Sequence, residues 1–335
     1  MPDIKIKSSA GSANIHYTIS TPGNASAKSI DKNIPTVIFI HPVYIASEIF
    51  ELQFADPTLR RFNLIALDLR SHGETSGKVG AAYGREQAAD DISEFMKALR
   101  LPACHLAGVS MGACISLQFA ISFPEKVLSL SMISPLPLIE PLDVAEGREE
   151  IHDCWVEAFK GKKVDQIALL DAVCGALQLG FSGQQSSFIN ALIARTVPHA
   201  LKNWGRNKLD EYRIATIDFF VKRTAQTPAA VRKIRCPIKL IHCGADIAYA
   251  VEYTGEVLKL LQDNGVDAQL IEVPGAYHFG NVSNPKEINS LIYDNVSRNS
   301  PGMSIPPARP SVVSPFTAAL KKAGYCQDDD DSDYE

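Results

Sequence analysis

Residues 101–124 contain no Asp, Glu, Lys or Arg, and in their middle Ser110 stands between Gly108 and Gly112. An apolar run, Cys104-His-Leu-Ala, precedes that serine, and a helix-like run over 111–122 follows it. Few backbones satisfy this pattern. A serine flanked by glycines where a strand gives way to a helix is the layout of a sharp turn, which lifts the hydroxyl above the strand end while the glycines let strand and helix approach. The rival reading is a membrane helix, because Gly108 and Gly112 also have small-xxx-small spacing. Pro102 and the polar His105, Ser116, Gln118 and Ser122 argue against it, and no other apolar stretch reaches spanning length. No membrane association is expected.

With 335 residues, 46% hydrophobic and 21% charged, the chain can bury a large core. Its net charge of -5 speaks against nucleic acid as a main partner, since phosphate binding needs clustered Lys and Arg. Asp328 to Asp331, Asp333 and Glu335 carry much of that charge, so the remainder is near neutral. The opening Met-Pro-Asp-Ile-Lys-Ile-Lys lacks the basic segment and apolar run of a secretory signal. Seven cysteines, an odd number scattered through apolar segments, fit reduced thiols, and a cytoplasmic protein is expected. Without a Cys-x-x-Cys or His-x-x-x-His spacing, no metal site is expected. The sequence is silent on oligomeric state.

Strand signals occur at 3–7, 14–19, 36–40, 62–67, 104–107, 127–133, 237–242 and 268–273. The runs from 36 onward are mostly continuous and apolar, as in strands covered on both faces. Helical candidates lie between them at about 46–60, 84–99, 111–122, 251–264 and 285–297. This alternation predicts an α/β fold with a mostly parallel, doubly wound sheet. From 142 to 231 only helical spacing is found, for example Ile151, Trp155 and Phe159 at i, i+4 and i+8. A helical block over 142–231 therefore interrupts a core made of 1–141 and 232–298. Five prolines between Pro301 and Pro315, followed by the acidic end, predict an extended or disordered tail over 299–335.

A serine hydroxyl needs a base within hydrogen-bond reach and an acid to orient that base. After the strand at 237–242 comes Gly244-Ala-Asp246, and after 268–273 comes Pro274-Gly-Ala-Tyr-His278. Both end parallel strands, on the sheet edge where Ser110 stands. Glu140 or Asp143, following 127–133, is the alternative acid. His41, His72, His105 and His242 read as structural histidines.

In these motifs the chain resembles the α/β-hydrolase superfamily over about residues 33–297. The resemblance rests on His41-Pro-Val, Asp68-Leu-Arg-Ser-His-Gly, Gly108-Val-Ser-Met-Gly112, Phe123-Pro-Glu-Lys-Val127, Gly244-Ala-Asp246 and Gly275-Ala-Tyr-His278, in that order. It implies Ser110 as nucleophile, His278 as general base and Asp246 as orienting acid, and it makes 142–231 the family's inserted cap. The oxyanion donors would be the backbone N–H groups of Met111 and Val43. The usual glycine after the loop histidine is here Pro42, which has no N–H, whereas Val43 keeps its own. Trp155 and Phe159 are candidate pocket residues; Trp155 and Trp204 both fall in the cap, where packing against its core is the other role open to them. The resemblance thus implies a hydrolase of a small ester, lactone or thioester with no cofactor. Relatives with the same three residues include C–C bond hydrolases and perhydrolases, and a ligand-binding scaffold with little turnover is the alternative of another class.

Overall fold

The computed structural model describes residues 1–326, so the acidic run from Asp328 onward lies outside the described residues. A hairpin of β1 (Asp3–Ser8) and β2 (Gly11–Ser20) opens the chain. Next come β3 (Thr36–Ile40), β4 (Asn63–Leu67) and the two-residue β5 (Ser76–Gly77). The sheet is completed by β6 (Cys104–Val109), β7 (Val127–Ile133), β8 (Ile238–Cys243) and β9 (Ala268–Val273). Its nine strands run in the order β1-β2-β4-β3-β6-β7-β8-β9, with β5 paired to β2. From β4 to β9 all pairs are parallel. The α/β fold expected from the alternation is therefore present.

The continuous apolar strands bury both faces. In β3, Ile38 and Ile40 enter one core with Leu106 and Phe95, while Val37 and Phe39 enter a second with Phe54 and Ile288. Against the first core lie α2 (Arg85–Ala98) and α3 (Met111–Ser122). A short α1 (Glu51–Phe54) lines the second.

The helix expected over 46–60 is broken. It consists of a 3-10 turn at Ser47–Phe50, then α1, then another turn at Leu59–Arg61. Pro57 cannot continue a helix, and the Asp56 carboxylate accepts the Thr58 and Leu59 N–H groups at 2.7 and 2.8 Å, starting the second turn.

Between β7 and β8 the chain forms only helices. They are α4 (Leu142–Ala158), α5 (Gln166–Phe181) and α6 (Ser187–Asn203), then the short α7 (Leu209–Arg213), α8 (Phe219–Val221) and α9 (Pro228–Val231). The chain returns to the sheet at β8, followed by α10 (Val251–Asp263), β9, α11 (Gly280–Ser283) and α12 (Pro285–Arg298).

The segment after 299, expected to be extended or disordered, is instead packed against the body as far as it is described. Ser304 N–H donates to the Asn33 carbonyl at 2.9 Å, and Arg61 and Arg60 bond the carbonyls of Pro306 and Val313 at 2.6 and 2.7 Å. A last helix, α13 (Thr317–Lys322), follows Phe316, which is fully buried with its ring 5.2 Å from Phe54. Proline-rich spacing gives no periodic signal of such docking, because three isolated side chains, Phe316, Leu320 and Tyr325, make it. Phe316→Ala should cost about 3–5 kcal/mol. A urea titration checks this, and a loss below ~1 kcal/mol would contradict the docking.

Candidate active site

The turn expected at Ser110 is present in detail. Ser110 has φ 53° and ψ -113°, a conformation that L residues rarely adopt, and it joins β6 directly to α3. Its N–H donates to the Ile133 carbonyl at 2.9 Å, which ties the turn to the end of β7. The glycines are needed for space. A Cβ on Gly108 would stand 2.4 Å from the Gly112 carbonyl oxygen, and one on Gly112 would stand 2.0 Å from that of Ile40.

Because β6, β8 and β9 are parallel, the loops after them meet at one edge of the sheet. The structure brings Ser110, His278 and Asp246 together there. Ser110 Oγ lies 2.8 Å from His278 Nε2, and His278 Nδ1 lies 2.6 Å from Asp246 Oδ2. An ionised carboxylate only accepts, so Nδ1 carries the ring proton and Nε2 is left to accept from the hydroxyl. Burial alone would raise the Asp246 pKa, but His278 and the N–H groups of Ala248 and Tyr249 together hold it below the usual carboxylate range. The Ser134 hydroxyl, at 2.5 Å, anchors the His278 carbonyl.

The alternative acids are placed elsewhere. Glu140 is paired with Arg148 and Arg223, and Asp143 is exposed. The other histidines have their own partners: His105 bonds Ser129 and Ser300, and His242 bonds Thr254.

Met111 opens α3 directly after Ser110, and Val43 is buried in the loop after β3. Neither N–H is taken by a backbone carbonyl within the described residues. His41 shapes this loop. Its Nδ1 donates to the Pro42 carbonyl at 2.7 Å, and its Nε2 accepts from the Leu69 N–H at 2.8 Å. Both ring nitrogens are thereby committed to the neutral form.

That commitment makes the fold sensitive to acid. Burial pushes His41 down to about 4 and the adjacent His72 down to about 3, the charge of His41 adding to the effect on His72. The unfolded chain takes up these protons below about pH 6.5, whereas the folded chain refuses them until pH 4 or lower. Stability is thus complete above pH 6.5 and falls as pH drops through that window. A loss of at least about 2 kcal/mol between pH 7.5 and 5 is expected from His41 alone. Urea midpoints at the two pH values check it, and a flat profile would contradict it.

Beside the loops that carry Val43 and His278 lies an apolar cavity lined by Tyr44, Trp155, Phe181, Leu192, Trp204 and Phe279, among others. It encloses about 70 Å³, room for about five water-sized groups. Tyr44 follows Val43 and Phe279 follows His278, so the cavity reaches both loops of the site, while Ser110 itself is only 1% exposed. Trp155 lines this cavity. Phe159, the other candidate, does not. It packs on Trp155 at 5.6 Å within the aromatic cluster of Trp204 and Tyr212, because the α4 helix ends at Ala158 and turns it away from the i, i+4 stripe. The Phe279 N–H donates to the Gly180 carbonyl of α5 at 2.9 Å, which joins the inserted helices to the histidine loop.

Three residues beside the site escape sequence reasoning. Tyr249 places its ring 5.4 Å from that of His278, and Arg148 donates to its hydroxyl at 3.0 Å. Tyr44 has φ 70°. Only the position of Tyr44, next to a candidate oxyanion donor, could have signalled any of them. As for metals, Glu149, His152 and Asp153 can bring ligand atoms within 4.8 Å of one another, but Glu149 already forms two bonds to Arg213.

Known proteins resemble this chain in parts of its sequence or in its fold. A dihydrolipoyllysine-residue acetyltransferase component of the acetoin cleaving system from Cupriavidus necator is 34% identical over 103 residues, 30% of this chain and 26% of that protein. A 2-(acetamidomethylene)succinate hydrolase from Mesorhizobium japonicum is 34% identical over 119 residues, 34% of this chain and 41% of its own. The chain thus spans less than half of either relative. The crystal structure of an enol-lactonase from Burkholderia xenovorans LB400 superposes with TM-score 0.64 at 16% identity, covering 88% of this chain and 100% of that one. A family model described as alpha/beta hydrolase fold matches residues 35–227, more than half of the sequence, and the chain belongs to that family.

Proposed function

We propose that this protein is a cofactor-independent serine hydrolase that cleaves a small ester, lactone or thioester through an acyl-enzyme on Ser110. The observation that carries the reading is the continuous relay from Ser110 Oγ through the His278 ring to Asp246, at 2.8 and 2.6 Å. Its parts supply everything the reaction needs. As Oγ attacks the substrate carbonyl, its proton passes to His278 Nε2, and Asp246 stabilises the imidazolium that forms. The N–H groups of Met111 and Val43 receive the negative charge that develops on the carbonyl oxygen, each donor contributing about 3–4 kcal/mol in the transition state. His278 then returns the proton to the leaving oxygen or sulfur. In the second half it takes a proton from the water that attacks the acyl carbonyl and gives it to Ser110 Oγ as the acid departs.

The hydrolase named among the relatives supports this reading. The cavity of Trp155, Leu192 and Phe279 favours a short apolar acyl or alcohol group. Seven free cysteines suit a reducing, cytoplasmic setting, and no helix among the described residues is long and apolar enough to cross a membrane. The test is turnover of a short-chain 4-nitrophenyl ester by the purified chain. Release of nitrophenol above background is expected; none would favour a ligand-binding protein of this fold.

A further inference from the structure

Beside the relay lies a buried ionic cluster that the proposed reaction does not use. Arg148 on α4 and Arg223 after α8 share one carboxylate, Glu140, and the three side chains are 0%, 3% and 1% exposed. Glu140 Oε1 accepts from Arg148 Nε at 2.7 Å and from the Tyr249 hydroxyl at 2.8 Å, and Oε2 accepts from Arg223 Nη2 at 3.1 Å. Two cations against one anion leave an excess positive charge in a place sealed from water. The neighbouring carboxylate, Asp246, is already committed to His278.

The donors are also in excess. Arg148 Nη1 and the Tyr44 hydroxyl are buried without a hydrogen-bond partner, as are Nε and Nη1 of Arg223. Arg148 and Tyr44 face each other: burial pushes the Tyr44 phenol up, and the charge of the Arg148 guanidinium and its hydrogen-bonding approach to the phenol pull against that rise. Arg148 is held in place by the Phe220 ring, 3.6 Å from its Cζ. Tyr44 lines the apolar cavity and follows Val43, and the Tyr249 hydroxyl that Arg148 bonds belongs to the ring packed on His278. Tyr44 thus joins the Arg148 cluster to the wall of the apolar cavity, and the Tyr249 ring joins it to the base.

Water filling this spot would satisfy the donors and leave the charge unbalanced. An anionic oxygen satisfies both. A single excess charge, with a guanidinium edge and one hydroxyl to bind it, matches a carboxylate rather than a doubly charged phosphate. The groove that Arg148 borders elsewhere carries Asp143, Glu150 and Asp171, so an anion is repelled there and favoured from the Tyr44 side. We propose that the substrate is an ester or lactone bearing a second, ionised carboxyl group, which Arg148 Nη1 and the Tyr44 hydroxyl bind beside Ser110. This rests on the serine-hydrolase reading above.

The test compares mono-4-nitrophenyl adipate with 4-nitrophenyl hexanoate, which differ in the terminal carboxylate. The wild type should favour the adipate ester at least tenfold in kcat/KM, and Arg148→Met and Tyr44→Phe should each lower that ratio at least tenfold. Tyr44→Phe removes one hydroxyl and keeps the ring, so it keeps the test valid if Arg148→Met fails to fold. A wild-type ratio near one, or a ratio unchanged in the variants, overturns the proposal. Free adipate should also raise the Tm of Ser110→Ala and not that of Ser110→Ala with Tyr44→Phe. If neither ester turns over while this shift persists, the carboxylate site stands and the hydrolase reading falls. If the hexanoate ester turns over without preference for adipate, the reverse holds.

Discussion

Replacing Ser110 with alanine should lower kcat/KM for a short-chain nitrophenyl ester by at least about 10³-fold while leaving the chain folded. That factor corresponds to about 4 kcal/mol of transition-state stabilisation. The expectation comes from the geometry, in which Ser110 Oγ lies 2.8 Å from His278 Nε2, the nitrogen left free to accept its proton. Alanine keeps the strained backbone at φ 53° and its anchor to Ile133, so the sheet edge is retained. Matched thermal melts separate lost chemistry from lost fold. Full turnover by a folded Ser110→Ala variant would remove Ser110 from the mechanism.

Gly112→Ala should lower stability by at least about 3 kcal/mol, by forcing backbone apart in the core. The added Cβ would lie 2.0 Å from the Ile40 carbonyl oxygen and 2.8 Å from that of His41. Neither contact is with a flexible side chain. The first turn of α3 would have to move off the end of β3, and with it the Ser110 turn and the loop carrying Val43. Activity should therefore fall together with stability, unlike in Ser110→Ala. Chemical denaturation decides the matter: a variant within ~0.5 kcal/mol of wild type would show that the close approach of α3 to β3 is not required.

The parallel sheet was legible because β3, β4 and β6 are wholly buried, and strands covered on both faces read as continuous apolar runs. Ser110, Asp246 and His278 were legible for a related reason: a parallel sheet sends every strand's C-terminal loop to one edge, so chain order predicts proximity. The features that were not legible depend on contacts that no local period encodes. Pro57 and the Asp56 cap divide a segment whose apolar spacing reads as one helix. Phe316 fills a gap beside Phe54, far away in sequence, and the prolines around it read as linker. The cluster of Glu140, Arg148, Arg223 and Tyr249 joins α4 and the segment after α8 to two strand-end loops, and each member alone looks like an ordinary polar residue. Phe159 continues the spacing of Ile151 and Trp155 in sequence, but the helix stops one residue before it.

The central claim is that Ser110 is a nucleophile activated by His278. Its most direct test is covalent labelling of the folded chain with a fluorophosphonate, followed by peptide mass spectrometry. One phosphonyl adduct is expected, on Ser110, absent in Ser110→Ala and strongly slowed in His278→Ala. An unlabelled wild-type chain, or an adduct on another residue, would contradict it.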